Sequence, residues 1–327
     1  MPLPFETINR ELLVRKESAT SHEYGCAPDE RPTSDILNYG IVSIDKPSGP
    51  TSHQIADYAK RILGITKAGH SGTLDPAVTG LLVVALGRAT KASGLLLTAG
   101  KEYVGILHTH KDVPEQDLRQ VFTRFTGTIV QTPPLKSAVK RVARKRTIYY
   151  FEILEIDGRD VLFRVGTQAG TYIRKLCDDI GRKIGGAHMA ELRRTKVASF
   201  GESTMVTLHD LADVYHDWRE SGDEIQLRKY IQPVERCAGH LPKIYIGDSA
   251  VDSVSRGASL HLPGIAKLDS GIQRGDVVAV FTLKNELVSY GTAMLGSEEM
   301  LAEKGLGVKT EKVFMQPGIY PRFSKGA

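Results

Sequence analysis

The sequence predicts an α+β fold in two domains, a larger mixed helix-and-strand domain followed by a small β-barrel-like one. Three observations carry this reading. At 327 residues the chain exceeds what one ordinary core organises. Over 38–240, strand-like and helix-like periodicities mix without strict βαβ alternation, which points to α+β rather than a doubly wound sheet. Around 233–245, Pro233, Gly239 and Pro242 mark a boundary. Beyond it the short strands KIYIG, DVVAVFTL and ELVSYGTAML are divided by Gly- and Pro-containing turns, the pattern of a β-rich barrel of about 80 residues.

The elements follow in order. Residues 16–37 are polar and punctuated by Pro, Gly and Ser, and read as a linker or wrapped arm without an element of its own. GIVSI (40–44) is strand-like and DKPSG breaks it. Thr51 or Ser52 caps a helix over 53–63, where Ile55, Tyr58, Ala59, Ile62 and Leu63 recur at helical spacing. The loop GHSGTLDP (69–76) follows. TGLLVVAL (79–86) is an apolar run suited to a strand buried on both faces, and KEYVGILHTH (101–110) alternates like a strand with one wet face. PEQDLRQVFTRFTG (114–127) is an amphipathic helix with Leu118, Val121, Phe122 and Phe125 inward and Gly127 as its stop. FEILEIDGRDVLFRV (151–165) is a hairpin joined at Asp157-Gly158. Gly170-Thr171 then caps a helix over 172–184 whose buried face holds Ile173, Leu176, Cys177, Ile180 and Ile184.

Composition narrows the function classes. Apolar residues make up 41% and charged residues 25%, as in ordinary globular proteins. Cys26, Cys177 and Cys237 lie far apart without a CxxC pair, against structural zinc or a disulfide framework and in favour of a reducing, cytoplasmic setting. No run of 18 apolar residues occurs and MPLPFETINREL lacks a signal-peptide core, so an intracellular protein with no membrane partner is expected. The net charge of +5 is uneven. Residues 38–242 hold 29 Lys/Arg against 22 Asp/Glu, whereas 1–37 hold four against seven, so the middle region suits an anionic partner.

Several familiar motifs fail. GLGVKT (305–310) lacks a lysine after its second glycine, so no P-loop exists, and no G-x-G-x-x-G opens a helix. Ser71 is not in a G-x-S-x-G elbow, and a serine, histidine and aspartate this close in sequence do not form a triad, whose members converge from separate segments. Asp75 is the stronger candidate. Pro76 biases it toward extended geometry, and Gly69 and Gly72 permit close approach to a ligand, although an Asp-Pro turn alone also accounts for it. The block LKSAVKRVARKRTIYY (135–150) holds six Lys/Arg, no acid and two tyrosines. It suits phosphate contacts and base stacking, or else a solvated basic strand. Arg174, on the first turn of its helix, has Asp178 as a possible i,i+4 partner.

IVSIDKPSGPTSHQ (41–54), KAGHSGTLDPAVTGLLVVALGRATK (67–91), GKEYV (100–104), TGTIVQTPPLKSAVKR (126–141), GTYIRKLCDDIG (170–181) and HMAELRRTKVASF (188–200) together resemble the TruB-type pseudouridine synthases. Within that family the chain looks closest to the archaeal, dyskerin-like H/ACA branch, and 243–325 resembles a PUA domain. The resemblance implies a catalytic domain over 38–240 with a mixed, mainly antiparallel central sheet flanked by helices. It also implies a PUA RNA-binding domain over 241–327 and an arm, 1–37, associated with it. It assigns Asp75 as catalytic carboxylate, Tyr103 as the ring that stacks on the flipped base, Arg174 as partner of Asp75, and Leu192 as pocket wall. Lys46, Pro47 and His70 shape the site and its RNA-facing wall, and Lys140, Arg141, Arg144, Lys145 and Arg146 are candidate RNA contacts. The implied partners are an H/ACA guide RNA, ribosomal and possibly transfer RNA, and small accessory proteins.

The chemistry breaks C1′–N1, rotates the uracil and joins C1′ to C5 without redox change, so it calls for no cofactor. The target must leave its stack, which needs an aromatic face and an apolar wall. Ala77 departs from the branch pattern, which places a basic residue there and with it one phosphate contact. A stand-alone synthase acting on the T-loop of transfer RNA, or an RNA-binding scaffold without catalysis, are the alternatives.

Overall fold

The computed structural model describes residues 1–133 and 140–322. They form two compact units, Met1–Thr7 with Ile41–Ile231, and Ile8–Gly40 with Gln232–Ala327. The first is built on one curled sheet. Its main path runs Met205–Val206, Gly40–Lys46, Thr79–Leu86, Ala187–Val197, Lys101–Thr109, Asp160–Thr167, Arg144–Asp157 and Gly127–Gln131. Met205–Val206 and Gly40–Lys46 pair in parallel, as do Thr79–Leu86 and Ala187–Val197, and the remaining neighbours are antiparallel. The expected α+β fold with a mixed, mainly antiparallel sheet is therefore correct.

The sequence explains most elements directly. Thr79–Leu86 is buried on both faces, and only β-branched and aliphatic residues fill such a strand without unpaired polar groups. Helices Glu115–Arg124 and Ile173–Ile184 turn their apolar stripes, Leu118, Val121 and Phe122 on one and Ile173, Leu176, Cys177 and Ile180 on the other, into a single core. There Phe122 and Phe151 meet at 4.2 Å between ring centres, and Phe163 stands edge-on to Phe151 at 5.4 Å.

Some expectations need correction. Thr51 is the cap of helix Ser52–Ile62, in a reciprocal capping box with Gln54, which leaves the Ser52 side chain for another task. Tyr58 is 38% exposed rather than inward. Strand Gly40–Lys46 runs two residues into the predicted break and ends before Pro47. Helix Glu115–Arg124 is capped by Phe125 in helical conformation, and Gly127, at φ +98°, begins the next strand instead of ending the helix. The hairpin register pairs Asp157 with Asp160. Its two-residue turn is thus Gly158-Arg159, with Gly158 at φ +55°, as a turn with glycine first requires. The N-cap of Ile173–Ile184 is Tyr172, not Gly170 or Thr171.

In the second unit seven strands among the described residues are ordered Leu12–Val14, Ile265–Asp269, Lys243–Ile246, Val277–Thr282, Leu287–Ala293, Leu306–Val313 and Leu260–His261. Ile244, Val278, Val280, Val288 and Val308 fill its core. Leu12–Val14 adds an antiparallel edge strand to Ile265–Asp269. Further along, Asp248 accepts from Thr20 and from the Ser21 amide, and Arg31 grips Glu235 through two hydrogen bonds of 2.8 and 3.0 Å. The segment 16–37 is not without an element, since Thr33–Tyr39 is a helix. Its buried Thr33, Ile36 and Leu37 keep helical spacing behind Pro32 and Asp35, which are helix-start residues rather than loop residues.

Candidate active site

The loop 69–76 joins strand Ala68–His70 to Thr79–Leu86 and is fixed from three sides. The Ser71 amide donates to Val83 O at 3.0 Å, continuing the pairing of the two strands. The Leu74 amide donates to Ser52 Oγ at 2.8 Å, and the Ser52 hydroxyl donates back to Leu74 O at 3.2 Å. From below, the buried Lys46 ammonium donates to Pro47 O, Pro76 O and Val78 O at 2.8–2.9 Å. All three of its protons are thereby used on backbone carbonyls. Lys46 shapes this loop from inside and does not offer its charge at the surface, whereas Pro47 is exposed. Burial, then repulsion from Arg194, lowers the Lys46 pKa, and the negative charge of Asp75 opposes that shift.

Held in this way, Asp75 presents its carboxylate outward. Arg174 Nη2 donates to Asp75 Oδ2 at 2.8 Å across 99 positions of sequence. The two side chains are 57% and 59% exposed. No described residue bonds Oδ1. Arg174 pairs with Asp75, not Asp178, and its helix starts at Tyr172. Gln131 fixes Tyr172 by accepting from its amide at 3.0 Å and donating to its carbonyl at 3.2 Å.

Tyr103 lies on strand Lys101–Thr109, and Leu74, Val78 and Ile173, which flank Asp75 and Arg174, belong to the same buried cluster. Only 8% of Tyr103 is exposed, so its ring stands in a recess rather than on an open platform. Leu192 packs against that cluster, opposite Gly105 in the register. A side chain at 105 would meet Leu192 at 2.8 Å, so glycine makes room for this wall. His70 Nε2 lies 3.3 Å from His53 Nδ1 with the rings edge-on. Burial first, and then His53 and Arg194, depress the His70 pKa.

The basic block divides. Its residues 135–139 lie outside the described residues. Lys140, Arg141 and Lys145 are exposed. Arg146 donates to Gly170 O at 3.2 Å and so supports the turn before Arg174, while Arg144 is half-buried opposite Gln131. Tyr150 is not available for stacking, because it is buried and its hydroxyl donates to Glu102 at 2.6 Å.

Sequence reasoning missed Ser52, Lys101, Gln131 and Arg194. Lys101 and Arg194 are charged residues in polar-looking contexts, yet both are buried. Lys101 donates to the carbonyls of Leu96, Leu97 and Ala99, and burial with repulsion from Arg194 brings it down to about 7.

Comparison with known proteins places these features in a family. Residues 60–173 match the TruB family pseudouridylate synthase N-terminal domain, and 174–238 match the tRNA pseudouridylate synthase B C-terminal domain. Residues 242–314 match the PUA domain and 2–56 the DKCLD domain. The chain is 54% identical over 322 residues to the probable tRNA pseudouridine synthase B of Methanopyrus kandleri, covering 98% of this chain and 95% of that one. It is 56% identical to the Pyrococcus abyssi protein of the same description, covering 96% of each. Among solved structures, a Cbf5-Nop10-Gar1 complex contains a chain with TM-score 0.93 and 53% identity over 98% of both chains. An H/ACA RNP bound to a substrate RNA containing 2′-deoxyuridine matches with TM-score 0.91 and 50% identity, over 98% of this chain and 99% of that one. No helix among the described residues is long and apolar enough to cross a membrane. The chain belongs to the TruB family of pseudouridine synthases and carries a PUA domain on its C-terminal side.

Proposed function

We propose that this synthase is the catalytic subunit of an H/ACA guide RNA–protein particle, isomerising guide-selected uridines of ribosomal RNA with Asp75 as its catalytic carboxylate. The observation that carries this reading is the likeness, over 98% of both chains, to a subunit of a solved Cbf5-Nop10-Gar1 complex. Small accessory proteins of that kind complete the particle. In this division of labour residues 38–240 perform the chemistry. Residues 241–327, with the N-terminal arm, hold the guide.

The target uridine flips out of its stack into the recess, its base against Tyr103 and Leu192. Arg174 holds Asp75 Oδ2 and supplies the counter-charge, leaving Oδ1 for the nucleotide. Either role of a carboxylate here, nucleophile or base, requires that free, ionised oxygen. C1′–N1 breaks, the uracil turns, C1′–C5 forms, the C5 proton leaves and N1 gains one, so the product is an isomer of the substrate. Lys140, Arg141 and Lys145 contact RNA phosphates, and Lys46 and Arg146 act by holding the loops that carry Asp75 and Arg174.

A second reading has support in the relatives described as tRNA pseudouridine synthase B. A scaffold without catalysis leaves the Asp75–Arg174 pair without a purpose. The test supplies the full-length chain with accessory proteins, with and without guide RNA, on a ribosomal RNA fragment and on a transfer RNA transcript. Pseudouridine in the ribosomal fragment only when the guide is present supports the proposal. Guide-independent turnover of that fragment, or turnover of transfer RNA alone, overturns it.

A further inference from the structure

Arg194 is the largest fully buried side chain among the described residues, 1% exposed. Burying a guanidinium is unfavourable unless its protons are used, and no carboxylate among the described residues pairs with it. Its Nε donates to Leu81 O at 2.8 Å and its Nη2 reaches Gly72 O at 3.4 Å. Tyr103 stands directly opposite it on the neighbouring strand; burial lowers the Arg194 pKa, and the Tyr103 phenol opposes that shift. Lys46 and Lys101 are buried close enough to be repelled by the same charge.

The backbone explains how an arginine comes to lie there. Arg194 pairs with Tyr103 on one side and with Gly80 on the other. The register slips by one between Glu102 and Tyr103, which leaves Thr195 as an extra residue. Such a bulge re-aims side chains. Glu102 and Thr195 are then bonded to each other at 2.7 Å, while Tyr103 and Arg194 are directly opposed. Gly80, at φ +97°, lets the strands close, since a Cβ there would stand 2.4 Å from Arg194 O. Gly72, at φ +131°, takes a backbone conformation that side chains rarely adopt, and the guanidinium lies beside it. One side chain therefore bonds the loop before Asp75 and the strand after it, and stands directly opposite the residue on which the base is proposed to stack.

We infer that Arg194 is a positioning residue that locks the Asp75 loop to Tyr103, so that carboxylate and ring meet the flipped uridine in one fixed arrangement. The inference deepens the proposed reaction and rests on that reading. Arg194 touches no reacting atom. It acts through Gly72, Leu81 and Tyr103. A lysine keeps the charge but cannot reach both carbonyls with the planar fork of an arginine, and a methionine removes charge and donors together.

The experiment uses full-length Arg194→Lys, Arg194→Met, Tyr103→Phe and the double variant Arg194→Lys/Tyr103→Phe. Amide hydrogen exchange over 69–76 is read first and requires no substrate. Single-turnover rates and KM follow on the RNA that the wild type modifies. The expected result for Arg194→Lys is faster exchange confined to that loop, kcat reduced ten- to a hundredfold and KM within about threefold. Arg194→Met is worse in kcat, or fails to fold, and Arg194→Lys then carries the test. Tyr103→Phe keeps the ring and loses the hydroxyl, and its penalty shrinks in the Arg194→Lys background because the shared contact is already gone. Wild-type exchange and kcat in Arg194→Lys, or penalties that simply multiply in the double variant, would overturn the inference. If the wild type modifies no RNA, the proposed function fails, while the exchange arm still decides whether Arg194 holds the loop.

Discussion

Ser52→Ala isolates one contact that fixes the loop carrying Asp75. The side chain is buried and both accepts from the Leu74 amide and donates to the Leu74 carbonyl, one residue before Asp75. Helix Ser52–Ile62 keeps its Thr51–Gln54 capping box in the variant, so the helix itself is not the casualty. Leu74 is 4% exposed, and its N–H loses its partner where water has little access. An orphaned buried donor costs about 1–3 kcal/mol. For a cooperative unit of the size of the one that holds Ser52, Met1–Thr7 with Ile41–Ile231, each kcal/mol shifts the melting temperature by roughly 2–4 °C, so a drop of about 2–12 °C follows, with the middle of that range expected. Chemical denaturation followed by fluorescence of Trp218, with the denaturant slope held as a control, gives the stability change, and hydrogen exchange at Leu74 and Val78 localises it. A stability loss below about 0.5 kcal/mol together with unchanged exchange refutes the reasoning, since the loop would then be held without Ser52.

The other predictions rest on separate observations. Arg174→Ala breaks an ion pair that is more than half exposed, so melting changes by no more than about 1 kcal/mol equivalent. Its kcat falls roughly a hundredfold or more, and comparable losses in stability and rate would contradict its placement beside Asp75. Lys101 titrates near 7 in the fold against 10.5 for an ordinary lysine. Between those values the unfolded chain holds a proton the folded one lacks, so stability from this group rises with pH from about 7 to 10.5 and is level below. Denaturation midpoints of Lys101→Met should rise less steeply over that window than those of wild type, and parallel curves would refute this. Removing the exposed charges of Lys140, Arg141 and Lys145 together should lower the salt slope of RNA affinity by roughly 2–3. An unchanged slope would mean that these residues are only solvated.

What could be read from the amino-acid order followed locality. Gly69, Gly72 and Pro76 announce a shaped loop, and the periodicity of 79–86 and 173–184 announces the elements beside it. Local spacing offers Arg174 an i,i+4 partner in Asp178. Its partner is instead Asp75, 99 positions away, at a helix start that Gln131 holds from another strand, contacts that no spacing expresses. Arg194 and Lys101 read as ordinary surface charges because their burial is decided by a one-residue slip between strands and by loop carbonyls far away in sequence. The helix Thr33–Tyr39 was hidden for a different reason. Pro32, Ser34 and Asp35 are common both to loops and to helix starts, and only the burial of Ile36 and Leu37 separates the two.

In the proposed reaction the exposed Asp75 carboxylate performs the isomerisation and contributes little to binding. Release of tritium from RNA labelled at C5 of uridine reports the chemistry directly, because that hydrogen leaves when C1′–C5 forms. Asp75→Ala, assayed in this way beside a parallel RNA-binding titration, should release no label while its affinity stays within about threefold of wild type. Label release at the wild-type rate from Asp75→Ala would mean that another group performs the isomerisation.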